Sequence, residues 1–255
     1  NKFEFRMVGS ADSIACANIM INTAVAESLR VYADRLEGAE DFEAALQAMI
    51  RKTIQDHKRI IFNGNGYDDA WIREATEKRG LLNCRTTPDC VPHLLDEKNV
   101  ALLTGHKVFT RAELESRYEV TLENYCKTII IEANTMADMA RTEILPAVQA
   151  FTCDTAKTAA AKKELVPGCL CEYETELVKK LSGLTDQIAV KAAELEEAVL
   201  DLANAGDIKR EAELIRDVVL PKMGELRLPC DEAETLTARK YWPFPTYGDL
   251  LFGVR

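Results

Sequence analysis

No apolar run in this sequence reaches the roughly 18 to 20 residues that a membrane-spanning helix needs. No Lys/Arg-rich run is present either, and the formal net charge of −10 argues against a nucleic-acid-binding surface. None of the eight cysteines (Cys16, Cys84, Cys90, Cys126, Cys153, Cys169, Cys171 and Cys230) belongs to a C-x-x-C pair. An even count permits disulfides, but a long helical chain without a secretory signal reads as one holding reduced cytosolic thiols. Cys84, Cys90 and His93 are the one set to weigh as zinc ligands. Their spacing is not that of a paired-thiolate knuckle, and no second pair follows. No signal peptide is expected in this stretch, since charges occupy the first ten residues where an apolar core belongs. The sequence opens without Met and inside a patterned element, so a fragment or processed product of a longer polypeptide is expected.

What is present has the composition of an ordinary globular protein, 47% hydrophobic and 29% charged, over 255 residues. That length suffices for one large domain or two small ones. The opening "NKFEFRMVGS" alternates Lys2, Glu4 and Arg6 with Phe3, Phe5 and Met7. Strand side chains point to opposite faces with period two, so a strand here carries all three charges on one face. Two readings follow. The face is solvated, with two cations flanking a carboxylate, or it lines a polar cavity. In a cavity the Glu takes a hard cation such as Mg²⁺ through its oxygens, the Arg grips a phosphate or carboxylate with two prongs, and the Lys acts as a mobile point charge.

Nearly everything else reads as helix. Residues 13–36 form an apolar, Ala-rich segment. Asp41 caps a second helix through about Ile60, with Phe42, Leu46, Met49, Ile50 and Ile54 on one stripe. "FNGNGYDD" interrupts with glycines suited to positive φ, either as a tight turn or as a ligand loop over Asn63 to Tyr67. Asp68 caps a short helix that Gly80 closes. A loop and a short helix ending at Gly105 come next, and then Thr110 and Glu113 form a capping box for a long helix. Pro146 is expected to end or kink it.

After a break at Pro167 and Gly168, Leu177, Leu181, Leu184, Ile188, Leu195, Val199 and Leu202 make a narrow apolar seam. Gly206 suits a helix end and Asp207 a new cap, and Ile208, Ala212, Ile215, Val219 and Met223 form the following stripe. An antiparallel hairpin over about 172–226 follows, with a coiled-coil dimer as the alternative. The tail "RKYWPFPTYGDLLFGVR", residues 239–255, is dense in aromatics, and Pro243 and Pro245 are expected to prevent a helix. It packs either on its own helices or on another subunit. A lone strand leaves its backbone groups unpaired. The fold class is therefore mainly α with one leading strand whose partners are expected upstream of Asn1.

"NKFEFRMVGSADSIACANIMINTAVAESL" resembles the glutamine synthetase segment in which a strand reading R/K-x-E-x-R leads through a loop into an apolar helix. "HKRIIFNGNGYDDAW", "RGLLNCRTTPD", "FTRAELESRYEVTLENYCKTI" and "RKYWPFPTYGDLLF" resemble the long type III glutamine synthetases, in the right order and over essentially the whole chain. The strand motif alone is weakly specific, and the four longer stretches carry the resemblance. It implies a helical C-terminal part of an α+β catalytic domain over residues 1–125, and a helical C-terminal extension over 126–255. It further implies an ATP-dependent ligase that converts glutamate and ammonia to glutamine through a γ-glutamyl phosphate, with Mg²⁺ or Mn²⁺, in a cytoplasmic homo-oligomeric ring. On that resemblance Glu4 ligates the metal nearest the nucleotide phosphates. Arg6 contacts the transferred phosphoryl group and the substrate carboxyl. Lys2 contacts phosphate, although shorter relatives usually carry Arg there, and "GSADS" replaces their Pro-Asp-Pro turn. The other metal carboxylates and the nucleotide site precede Asn1 in the family pattern, so this stretch by itself is expected to be inactive. The rival reading is a non-catalytic acidic helical module that assembles through its seam and tail.

Overall fold

The computed structural model describes residues 13–245 and 247–253, and the expected strand over 1–10 lies outside them. Among the described residues the secondary structure is helical throughout, with no strand. The chain divides into two compact units, Asn1–Tyr118 and Glu119–Arg255.

In the first unit, α1 (Ala15–Leu36), α2 (Phe42–Asp56), α3 (Asp69–Arg73), α4 (Thr87–Cys90) and α5 (Glu97–Gly105) follow one another, and a π-turn over Glu74–Lys78 extends α3. The caps are those the side chains dictate. Asp41 accepts from the Ala44 amide at 3.0 Å and Asp68 from the Ala70 amide at 2.8 Å, each satisfying a donor the first helical turn cannot. α2 stops at Asp56, short of the expected end, and a 3₁₀ turn over Lys58–Ile60 carries the chain on. The unit's core is small: Val100, Leu103 and Leu114, with Leu94, Leu95 and Phe109 packed against it. The α2 stripe does not join that core. Phe42, Ile50 and Ile54 keep 57%, 48% and 53% of their surface exposed.

At Thr110 the expected capping box is complete. The Thr110 amide donates to Glu113 Oε2 at 2.7 Å, and the Glu113 amide donates back to Thr110 Oγ1 at 3.3 Å. The helix it starts, α6, covers Arg111–Met139.

Pro146 neither ends nor breaks the helical path. A π-turn over Ala140–Ile144 precedes it, and Pro146 sits in the first turn of α7 (Leu145–Leu165). Proline lacks an N–H and collides with the carbonyl four residues back. A widened i→i+5 turn displaces that carbonyl, so the helix continues in a shifted register. The same device recurs later in the chain, where a π-turn over Ile215–Val219 precedes Pro221.

In the second unit α8 (Glu172–Asp201) packs against α7 on one side and against α10 (Leu220–Leu236) on the other. The turn from α8 passes Gly206 at φ +85°. Asp207 then caps α9 (Ile208–Leu214) by accepting from the Arg210 amide at 2.9 Å. The seam is the core: Leu181, Leu184, Ile188 and Leu195 of α8 are fully buried, as are Ile215 and Val219 opposite. The tail departs from expectation, because a short helix, α11 (Tyr247–Leu251), forms after Pro245. A proline just ahead of a helix costs no intrahelical hydrogen bond, and an Arg239–Asp249 ion pair holds the turn against the preceding segment.

Candidate functional site

Lys2, Glu4 and Arg6, the residues on which the sequence concentrates its chemistry, lie outside the described residues. The described structure begins in sequence with α1. The C-terminal half of α1 carries a charge cluster that sequence reading missed. Arg30 grips Glu27 with two prongs, Nη2 to Oε1 at 2.7 Å and Nε to Oε2 at 3.0 Å, and its Nη1 reaches Asp34 at 2.7 Å. Glu27 Oε2 also lies 2.7 Å from Nε2 of His106, 79 residues away at the end of α5. The hydrogen bonds from Arg30 and His106 hold the Glu27 carboxyl down to about 2. The cluster edges an open cleft with Lys98, Asn99 and Leu102. Each carboxylate oxygen of Glu27 already accepts a hydrogen bond, so the arrangement ties α1 to α5 more than it offers a vacant ligand. The i, i+3, i+7 spacing of Glu27, Arg30 and Asp34 was the available signal. The partner His106 had none.

The "FNGNGY" loop is built around aromatic packing. Phe62 stacks on Trp71 at 3.7 Å, and the Arg79 guanidinium lies over Trp71 at 4.8 Å. Arg79 Nη1 also donates to the carbonyls of Arg59 at 3.1 Å and Ile61 at 2.8 Å. A Cβ at Gly64, whose φ is +156°, would sit 2.8 Å from the Phe62 ring. The glycine therefore lets the backbone pass the stacked ring, and Asn65 Oδ1 closes the turn by accepting from the Tyr67 amide at 3.1 Å.

Cys84, Cys90 and His93 are not brought together as a ligand set: among the described residues no three His, Cys, Asp or Glu side chains converge to hold an ion. His93 Nδ1 lies 2.9 Å from Asp96, and burial pushes the Cys90 thiol up, helped by Cys84 and Asp89. All eight cysteines are free.

In the second unit charge serves helix-to-helix ties. Arg141 pairs with Glu196, and Lys191 joins Glu194 to Glu225. Lys162 pairs with Glu174, which is only 8% exposed and is held below the usual carboxylate range by that contact. Tyr241, at the head of the aromatic tail, docks on its own unit, while Phe252 stays exposed. Tyr241 packs on Phe151 of α7 at 5.3 Å and donates its hydroxyl to Asp154 at 2.6 Å.

A scan against protein families matches residues 45–163 to the glutamine synthetase C-terminal domain. Relatives bearing the glutamine synthetase name align along most or all of the chain. A glutamine synthetase of Butyrivibrio fibrisolvens is 37% identical over 216 residues, 85% of this chain and 31% of its own length. A type-3 glutamine synthetase of Dictyostelium discoideum is 32% identical over 259 residues, 99% of this chain and 35% of its own.

The chain belongs to the glutamine synthetase family.

A third glutamine synthetase, from Bacteroides fragilis, is 31% identical over 263 residues, 99% of this chain and 36% of its own length. The chain thus spans about a third of the length of the curated glutamine synthetases it matches. The family-model match starts in α2 and ends near the close of α7. The charged opening stretch and the α8–α10 hairpin lie outside it. The helical secondary structure of the described residues agrees with a mainly helical C-terminal part of a glutamine synthetase.

Proposed function

We propose that this chain is the C-terminal part of a type III glutamine synthetase, and that the intact polypeptide makes glutamine from glutamate and ammonia at the expense of ATP. The observation that carries this reading is the alignment of glutamine synthetases, one of them named type-3, along 99% of the chain. In the proposed reaction a γ-carboxylate oxygen of glutamate attacks the terminal phosphorus of ATP, and the bond to ADP breaks. Ammonia then attacks the acyl carbon of the γ-glutamyl phosphate and expels phosphate. Charge spreads over the transferred phosphate oxygens in the first step, and positioned cations lower its energy.

Arg6 is the residue proposed to hold the transferred phosphoryl group and the substrate carboxyl, because a guanidinium grips such groups with two parallel hydrogen bonds. Lys2 adds a point charge toward phosphate. Glu4 offers the oxygen donor that a hard Mg²⁺ or Mn²⁺ ion accepts, and when bound such an ion neutralises phosphate charge. The ion's remaining ligands are proposed to come from elsewhere in the polypeptide, since among the described residues no metal-binding cluster is found. We further infer a cytoplasmic homo-oligomeric ring, and a role for the α8–α10 hairpin in assembly or shape. In support of the latter, the described side chains of the hairpin carry no metal-binding cluster and spend their charges on ties between helices.

The test compares the intact polypeptide with the 255-residue chain alone in ATP- and ammonia-dependent glutamine formation. The intact polypeptide is expected to turn over, and the isolated chain to show no glutamine above background, because it lacks most metal and nucleotide ligands and catalysis here is chiefly positioning. Glutamine formation by the isolated chain would overturn the assignment of its partners to the missing two-thirds.

A further inference from the structure

The connection between α7 and α8 contains the sequence Cys169-Leu170-Cys171, and its backbone is unusual. α7 ends at Leu165, Gly168 turns the chain at φ +90°, and Cys171 sits at φ +49°, ψ +41° as the residue that opens α8. A residue with a Cβ visits this left-handed region at a cost. Cys171 is held there from both sides: its carbonyl accepts from the Thr175 amide at 3.0 Å, and its thiol donates to the Ala159 carbonyl of α7 at 3.7 Å.

The result is a sulfur pair. Cys169 Sγ and Cys171 Sγ are 3.4 Å apart, a contact between two thiols and not yet a bond. Cys171 is 7% exposed and Cys169 is half-buried, while the intervening Leu170 projects into solvent. One sulfur can therefore be reached from outside, and the other waits directly behind it.

We propose that Cys169 and Cys171 form a reversible intramolecular dithiol–disulfide site, oxidised by low-molecular-weight disulfides. The Cys169 thiolate attacks one sulfur of RS–SR, forming a mixed disulfide and releasing RS⁻, which takes up the Cys169 proton. Cys171 then loses its proton to the second departing RS⁻ as its sulfur attacks Cys169 Sγ and breaks the mixed disulfide. The balance is two protein thiols and one RS–SR giving one protein disulfide and two RSH. Two electrons pass from the protein sulfurs to the oxidant. The remaining closure, from 3.4 Å to a bond of ~2.05 Å, needs movement of two side chains within one short loop.

The chemistry of Cys171 suits the second, resolving position. Its contact with Cys169 and its burial push its thiol up, so it stays protonated until its neighbour is modified. The other buried cysteines have no such neighbour among the described residues. Cys126 and Cys230 are each pushed up to about 11, chiefly by burial and further by nearby carboxylates.

The experiment incubates the intact polypeptide with oxidised glutathione, blocks the remaining thiols by alkylation, and maps peptides by mass. The peptide carrying Cys169 and Cys171 is expected to lose two hydrogens, to carry neither glutathione nor alkyl groups, and to return to the doubly alkylatable form with dithiothreitol. In Cys171→Ser the mixed disulfide cannot be resolved, so Cys169 should retain one glutathionyl group. In Cys169→Ser the buried Cys171 should stay unmodified over the same interval. Recovery of the wild-type peptide with both cysteines alkylated, or with a lasting glutathione adduct on Cys169, would overturn the proposal. So would modification of Cys171 in Cys169→Ser as fast as Cys169 reacts in Cys171→Ser. The wild-type mass shift decides the matter by itself if either variant fails to fold.

Discussion

Replacing Glu4 by Gln in the intact polypeptide is expected to raise the Mg²⁺ concentration for half-maximal turnover by about 10- to 100-fold or more, since even outer-shell partners of metal ligands are worth that much. The substitution preserves side-chain size and one carbonyl oxygen, and it removes the negative charge that a hard cation seeks. Folding should be nearly unchanged, because the exchange is nearly isosteric. Arg6→Lys gives the contrasting result. It keeps the charge but loses the two-pronged grip, so turnover should fall and the need for glutamate rise while the metal dependence stays near that of the parent. If Glu4→Gln kept the parental Mg²⁺ dependence, Glu4 would be a solvated strand residue flanked by two cations, the plainer of the two readings its sequence allows.

Leu195→Ala is expected to destabilise the second unit by about 2–5 kcal/mol, the range for emptying a packed core position. Leu195 is 0% exposed, on the C-terminal half of a helix that packs against both α7 and α10. Its side chain leaves a cavity that the flanking helices cannot collapse into without breaking the Lys191–Glu225 and Lys222–Glu194 ties beside it. Leu200, on the same helix and 74% exposed, is the control. Leu200→Ala should change stability by no more than about 0.5 kcal/mol. Urea unfolding followed by helix content measures both, and a lower midpoint at unchanged slope identifies a true loss of stability. Equal effects at the two positions would mean that the seam is not the core of the unit.

Local signals carried most of the helical architecture. Asp41, Asp68, Asp207 and the Thr110–Glu113 pair announce helix starts within four residues of themselves, and each forms the cap its chemistry calls for. The π-turns before Pro146 and Pro221 were not legible, because a proline reads as a stop and nothing local reveals that a widened turn makes room for it. The helix at Tyr247–Leu251 was missed for a related reason: its support comes from Arg239, ten residues earlier. The α2 stripe was read correctly as apolar, yet its burial depends on what lies against it, and in the described structure Phe42, Ile50 and Ile54 stay half exposed. Distance along the chain also hid the Glu27–His106 contact and the pairing of buried Glu174 with Lys162. As for the candidate site, its charge alternation is visible in Lys2, Glu4 and Arg6, while the chemistry assigned to them came from resemblance.

The most direct test of the central claim follows one oxygen atom. Glutamate labelled with ¹⁸O in its γ-carboxylate is given to the intact polypeptide with ATP, ammonia and Mg²⁺, and the inorganic phosphate formed is analysed by mass. If the γ-carboxylate attacks ATP and phosphate is then expelled by ammonia, each phosphate released carries one ¹⁸O from glutamate, and one glutamine appears per phosphate. Unlabelled phosphate, or ATP turnover that does not require glutamate, would contradict the account.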